Sequence, residues 1–393
     1  MIPVEVALAR VLDLCDTLEA EDVPLAEAGG RALARDIETG RSQPPFAASA
    51  MDGYALAAAP GPAPAGARFR VIAEAAAGRG FAGRANPGEA VRIFTGAPLP
   101  EGTDRVAIQE DVSRSGDGIS LTEPVAPGAH VRPAGGDFGP GFRIEAPRRL
   151  TAADLALAAA MGHARLPVSR RPEIAVIATG DELVLPGEPP GPGQIVASNG
   201  FGIKALLEAE GARVRLLPIA RDTEAALRFA FDLAEGADIV VTIGGASVGE
   251  HDLVARIAGA MGLALDFHKV ALRPGKPLMA GRLGSAVMVG LPGNPVSAMV
   301  CAHIFLRPAV RAMLGLGRAG LIRSQAPLAV ALAPNGPREH YMRARLTEAG
   351  LEPFADQDSS LLSVLAAADA LAIRPPGDGP REAGEVLEYI PLR

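Results

Sequence analysis

Tryptophan is absent from the 393 residues, aromatic side chains make up 4%, and cysteine occurs twice. The two cysteines, Cys15 and Cys301, form no C-x-x-C pair. That excludes a disulfide framework or a cysteine zinc site and makes a reducing, cytoplasmic setting the expectation. No run approaches the roughly 18 apolar residues that a membrane helix needs, so no membrane partner is expected. The N-terminus, MIPVEVALARVLDLCDTLEAED, mixes acids with apolar residues and reads as an amphipathic helix rather than a signal peptide. Excess positive charge is missing as well. A net charge of −7 argues against a general nucleic-acid binder, which needs a cationic face. Lysine is nearly absent: only Lys204, Lys269 and Lys276 occur, and two of the three share one short stretch. In a chain that otherwise uses arginine, this is a weak pointer to a required ammonium.

What is present is globular: 48% hydrophobic and 21% charged residues can bury several cores. The length predicts two to three units, more if some are small. Apolar spacing (Val4, Leu8, Val11, Leu12) predicts helices over 4–20 and about 25–36. From Pro44 to about Pro147, short β-like runs alternate with Gly/Pro turns, a compact β domain inserted between helical segments. Thr151 opens a further helix with Asp154 as a capping-box partner. After 169–172 the pattern becomes βαβ. Apolar runs EIAVIATG, RVRLLPIA, ADIVVTIGG and SAVMVGLPG alternate with helical stretches near 201–210, 223–235, 251–261 and 295–314. This predicts a mostly parallel sheet covered on both faces, with ligands outside the carboxyl ends of its strands. From about Leu321 the chain is β-like to its end.

The loops at that strand edge carry two kinds of charge. Glu182, Glu250 and Asp252 are hard oxygen donors of the type Mg²⁺ takes. Lys269, Arg273 and Lys276 suit phosphate or another oxyanion. Gly244, Gly245 and Ser247 belong to a glycine-rich turn that can face an anion, and a helix starting at Pro295 adds its positive end. A cation site beside an anion site suggests a metal-bridged phosphoryl or pyrophosphate group. Structural readings compete elsewhere. Asn294 before Pro295, and Asp222, read as helix N-caps. Asp52-Gly53 and Asp137 read as turns, Thr95-Gly96 as a strand end, and Pro292 as a loop stiffener. The histidines show no metal-ligand spacing.

Six strings then occur in order: SAMDGYA (49–55), FTGAPLP (94–100), TGDEL (179–183), Gly244-Gly245 through Gly249-Glu250, RPGKP (273–277) and GLPGNP (290–295). Together they resemble the MoeA family of molybdopterin molybdenumtransferases, which includes the gephyrin E domain, over essentially the whole chain. The resemblance implies an α/β plus β multidomain subunit. A helical domain (1–43 and 141–168, discontinuous) holds an inserted β domain (44–140). A MogA-like, molybdopterin-binding α/β domain with a mostly parallel sheet (169–318) and a C-terminal β barrel (319–393) follow. It implies a homodimer whose cleft is shared between subunits, with Asp52, Thr95 and Asp137 reaching towards a partner's Glu182, Asp222, Asp252, Lys269, Arg273 and Lys276. Pro292 and Pro295 would shape the cleft floor. The implied reaction joins molybdate to adenylyl-molybdopterin with Mg²⁺-dependent release of AMP. Asp252 and Glu182 hold the metal in that reading, Ser247 donates to an anion, and Arg343 and Ser359 contact molybdate. Contact with the molybdopterin adenylyltransferase is a further expectation. Two departures stand out: Arg273 replaces a lysine common in relatives, and Asp358 precedes Ser359 where many have a small residue.

Three rival readings share some of these residues. Gly245-x-Ser247-x-Gly249 matches a serine-hydrolase elbow, with Asp266 and His303 as conceivable partners. A non-catalytic scaffold lacks any long docking extension here. A related adenylyltransferase shares the α/β domain but usually not its flanking domains.

Overall fold

The computed structural model describes residues 1–245 and 253–392, so Ser247, Glu250 and Asp252 lie outside the described residues. The N-terminal helix α1 runs Val4–Asp13, shorter than its apolar pattern suggested, and buries Val4, Ala7, Val11 and Leu12. Residues 25–36 are not helical. Leu25–Glu27 makes one 3-10 turn and Ala32–Leu33 is a strand. The Gly29-Gly30 pair explains this, since Gly30 takes φ +71°, a conformation that ends a helix. Ala32–Leu33 instead joins a four-stranded antiparallel sheet with Ala20–Pro24, Arg165–Ser169 and Arg148–Arg149. Helix α2, Ala152–Met161, shares the apolar cluster of this sheet through Ala158 and Met161. Thr151 and Asp154 form the expected capping box and Gly162 closes the helix in the left-handed region. This unit is therefore sheet as much as helix.

The segment between its two halves folds into a six-stranded sheet, ordered 105–108, 53–56, 89–93, 68–75, 118–121 and 112–115. Alternate residues of its strands feed separate apolar clusters, Tyr54 and Leu56 in one, Ala55 and Val106 in the other.

The α/β half has six strands: β1 Glu173–Ala178, β2 Arg213–Leu216, β3 Ile239–Ile243, β4 Leu263–His268, β5 Met279–Leu283 and β6 Ala286–Leu291. Their order is β2-β1-β3-β6-β5-β4; the first four are parallel and β5 runs against both neighbours. Every residue of β3 and β6 is buried, which is why both read as unbroken apolar runs. Helices α3 (Asn199–Ala209) and α1 pack on one face, α4 (Glu224–Leu233) and α5 (Leu253–Ala260) on the other. A helical rod, Pro295–Met313, contains a π-type turn at Ala302–Leu306. The rod is long and apolar enough to cross a membrane, but 83% of it is buried inside the protein, which makes it a core helix.

The C-terminal sheet comprises β7 Ser324–Pro327, β8 Glu339–Thr347, β9 Gly350–Pro353, β10 Ala370–Arg374 and β11 Val386–Pro391, ordered β9-β8-β10-β11-β7. Its two edges meet at a Leu328–Leu351 bridge. Leu272–Arg273 pairs in parallel with Glu339–His340 on β8, joining the C-terminal sheet to a loop at the carboxyl edge of the α/β sheet.

Candidate functional site

The cationic loop is held from three sides. Lys269 sits at φ +76°, a strained conformation for a residue with a side chain. Its N–H donates to Leu278 O (2.9 Å) and its carbonyl accepts from Ile2 N–H (3.2 Å). Leu272 and Arg273 are fixed by the β8 pairing. Gly275, at φ +117°, packs so closely that a Cβ there would lie 2.5 Å from Cys301 Sγ. Both cysteines are buried and free, as expected. This frame leaves Arg273 and Lys276 exposed, with no ion pair to either among the described residues. Both line a cleft of 670 Å³ between the loop and the C-terminal sheet, together with Asn294 and Ser359.

A second cavity of 380 Å³ is lined by Glu182, Gly244, Asn294, Pro295 and Ser360. Asn294 belongs to both, so the two cavities adjoin at the start of the rod. Asn294 does occupy the N-cap position with Pro295 next, but its side chain does not cap. Its Nδ2 donates instead to Ser359 Oγ (2.9 Å), tying the start of the rod to the turn that carries Ser359. Gly244, at φ +93°, has no room for a Cβ, which would come 2.8 Å from Thr179 O. Gly245 is equally restricted, by Val254, but does not line the cavity. Pro292 is buried and forms no part of either wall.

The acids cluster beside the second cavity. Asp222 N–H donates to Asp181 Oδ1 (3.1 Å). Desolvation, then the neighbouring Asp181 and Glu182 carboxylates, raise the Asp222 pKa above the usual range. Asp222 is not a helix cap; Thr223 Oγ1 takes that role, accepting from Ala226 N–H (3.3 Å). Arg221 clamps the turn by donating to Asp181 O (2.8 Å) and Leu183 O (3.1 Å). Among the described residues, no group of three or more His, Cys, Asp or Glu side chains is placed to hold a metal.

Arg343 is fully buried behind the cleft wall rather than on it. Its Nη2 donates to Asp358 O (2.8 Å), while Nε and Nη1 have no partner. In the inserted sheet, Asp52 Oδ1 accepts from Thr95 N–H and Oγ1–H, both at 2.8 Å, which holds its pKa below the ordinary carboxylate value. Asp137 is exposed in a turn. Among the described residues, no hydrogen bond or ion pair links these three to the α/β half.

The hydrolase alternative finds no support in the remaining partners. Asp266 lies on the surface facing Arg10 (3.7 Å), whereas His303 is buried against Arg307 (3.3 Å) with its pKa lowered to about 4 by desolvation. Sequence reasoning missed Arg338 and His340, which also line the cleft. Neither sits in a motif; only the pairing of Leu272–Arg273 with β8 brings them there.

Three family models cover the chain: the MoeA N-terminal region (domains I and II) over 2–162, the probable molybdopterin binding domain over 175–312, and the MoeA C-terminal region (domain IV) over 325–392. The molybdopterin molybdenumtransferase of Haemophilus influenzae is 37% identical, over 80% of this chain and 78% of its own. Molybdopterin molybdenumtransferase 2 of Mycobacterium tuberculosis is 37% identical over 82% of each. The crystal structure of a molybdopterin biosynthesis MoeA protein from Pyrococcus is 29% identical, superposes with a TM-score of 0.86, and is covered over 99% of its length by all of this chain. The chain belongs to the MoeA family of molybdopterin molybdenumtransferases and is a transferase of molybdenum cofactor biosynthesis.

Proposed function

We propose that this enzyme takes molybdenum from molybdate into adenylyl-molybdopterin, with Mg²⁺-dependent release of AMP. One observation carries the reading: a cleft with the unpaired cations Arg273 and Lys276 and a cavity lined by Glu182 adjoin at Asn294. A substrate with a nucleotide pyrophosphate beside an incoming oxyanion needs both. Arg273 and Lys276 balance the charge of the anions, Lys269 supports them from the same loop, and Ser359, oriented by Asn294, donates to the oxyanion. Arg343 acts from behind, holding Asp358 and hence the loop that carries Ser359.

The described acids do not by themselves form a complete metal site, and the reading needs Glu250 and Asp252 beside them. The donors are hard carboxylates, and the Asp222 pKa is raised first by desolvation and then by the neighbouring Asp181 and Glu182 carboxylates, whose charge a cation would offset. Glu182 and Asp222, with Glu250 and Asp252 of the segment that follows Gly245 in sequence, would hold Mg²⁺. When bound, the ion supplies charge neutralisation to a pyrophosphate. Gly244 and Gly245 allow backbone to approach that group.

In this reading the working unit is a cytoplasmic homodimer in which a partner's Asp52, Thr95 and Asp137 complete the cleft, the C-terminal sheet acts as a barrel, and the adenylyltransferase delivers substrate. The test supplies adenylyl-molybdopterin, molybdate and Mg²⁺ and follows AMP. Glu182→Gln, Asp252→Ala and Lys276→Ala should each abolish release while leaving the melting temperature near wild type. Wild-type rates in all three variants would refute the proposal.

A further inference from the structure

Between β1 and the two-residue strand Leu183–Val184 the chain turns tightly through Thr179, Gly180, Asp181 and Glu182. Gly180 takes φ +145°, and a Cβ there would lie 2.3 Å from Glu182 Oε2, so the Glu182 carboxylate folds back over this glycine. Glu182 lines the 380 Å³ cavity from that position. The Asp181 carboxylate is engaged elsewhere, accepting from Asp222 N–H (3.1 Å). Three carboxylates thus crowd one turn, and the carbonyls of Asp181 and Leu183 converge on a single point. Like charges and convergent carbonyl dipoles repel, so the turn needs a cation to keep this shape.

Arg221 sits at that point. Its Nη1 donates to Asp181 O (2.8 Å), Leu183 O (3.1 Å) and Gly180 O (3.5 Å). The connection from β2 to α4 that carries Arg221 is itself tied to the turn, because Thr179 bridges to Ala220 and Gly180 N–H donates to Ala220 O (3.1 Å). No carboxylate pairs with Arg221 among the described residues. Other arginines around this sheet behave differently: Arg213 pairs with Glu173 (3.4 Å), and Arg170 grips Asp238 with two bonds of 2.9 Å. The charge of Arg221 therefore goes to backbone oxygens, and the acids beside it keep their own charge for the cavity.

We propose that Arg221 is a positioning residue for the reaction, acting through the backbone of the 180–183 turn to hold Glu182 on the cavity wall and Asp222 beside it. A guanidinium suits the task because its N–H groups lie in a fixed plane and can reach two carbonyls at once. The purpose of the two acids rests on the reaction proposed above, whereas the hold on the turn can be measured without any turnover.

The test uses Arg221→Met and Arg221→Lys in the full-length enzyme. Three amides report the turn directly: Gly180, Asp222 and Ile195 donate to Ala220 O, Asp181 Oδ1 and Glu182 O. Their hydrogen exchange should quicken by about tenfold or more in Arg221→Met, with the unfolding midpoint near wild type. In AMP release, kcat should fall and the Mg²⁺ concentration for half-maximal rate should rise, each by about tenfold. KM for molybdate, set in the proposed reaction by the separate Arg273–Lys276 cleft, should stay near wild type, a split that general loosening of the fold would not produce. Arg221→Lys keeps the charge without the planar fork and should recover part of each loss. A folded Arg221→Met protein with wild-type exchange at these amides, or with faster exchange but unchanged kcat and Mg²⁺ requirement, overturns the proposal. Glu182→Gln assayed alongside tells the two failures apart. Normal release in Glu182→Gln removes the role of the acids and this proposal with it, whereas loss there beside normal release in Arg221→Met removes this proposal alone.

Discussion

Gly275→Ala tests whether the cationic loop is held by close packing or merely rests on the rod. Two separate penalties apply at this position. The backbone at φ +117° lies where a Cβ meets its own carbonyl, a strain of about 1–3 kcal/mol. The new methyl would also sit 2.5 Å from Cys301 Sγ and 3.1 Å from Leu272 Cδ2, two fully buried neighbours with no room to yield. Overpacking of that kind costs about 1–3 kcal/mol, so the two penalties together come to roughly 2–6 kcal/mol. The measurement is a denaturant midpoint, with AMP release read at temperatures where the variant remains folded. Adding Cys301→Ala removes the nearer contact and should return part of the loss, while the backbone strain stays. Direct contact between the two sites should make them non-additive. A Gly275→Ala protein as stable as wild type, or a double variant that regains nothing, would show that the loop is not braced by the rod.

Three more outcomes follow from the same geometry. Arg105 is buried in the inserted sheet and donates to Asp104, Gly61 O and Val125 O, so Arg105→Met should destabilise that unit by about 2–4 kcal/mol, measured as a shifted unfolding midpoint. His303 and His340 are held neutral, with pKa values lowered to about 4 and about 3. The unfolded chain binds those protons first, below about pH 6.5. Stability should therefore fall as pH drops from about 6.5 towards 4, and replacing both histidines with glutamine should flatten that slope in a melting-temperature series. A wild-type slope that survives the double replacement would remove the assignment. The Asp52 carboxylate has its pKa lowered by Thr95, so its contribution is present above the unfolded value and vanishes as pH falls through the folded one. Asp52→Asn should accordingly lower the melting temperature at pH 7 but not in strong acid, and a deficit that persists unchanged in acid would argue against the Thr95 bonds as its source.

Much of the architecture was legible because it depends on local pattern. β3 and β6 are buried on both faces, and an unbroken apolar run is what such burial requires. The capping box at Thr151–Asp154 is a contact across three residues and was read without error. The misreadings have equally local causes. Apolar residues at 25–36 fit helical spacing, but Gly29-Gly30 breaks the run and the sheet takes Ala32–Leu33 by pairing with residues from the far side of the inserted domain. Asn294 has the residue type and position of a cap, and Pro295 follows it correctly. Yet its side chain makes no cap bond, and its Nδ2 donates to the Ser359 hydroxyl instead.

The site divides along the same line. Charges at the carboxyl edge of a parallel sheet can be inferred from strand order, since each loop follows its own strand. The opposite wall cannot, because Arg338 reaches Leu272 across 66 residues and only two residues of parallel pairing bring the segments together. A two-residue ladder has no periodicity to detect, and PREHYM carries no motif that marks Arg338 or His340. What identifies that wall is an energetic mismatch visible only in three dimensions: two arginines without acids and a buried imidazole whose Nε2 has no hydrogen-bond partner. Folding tolerates such a wall because the cleft beside it is open to solvent and the loop is braced elsewhere, by Ile2, by β8 and by Cys301. If the brace at Gly275 is loosened, the two cations on that loop should lose their fixed separation from the His340 wall, and oxyanion affinity should fall even where the fold survives.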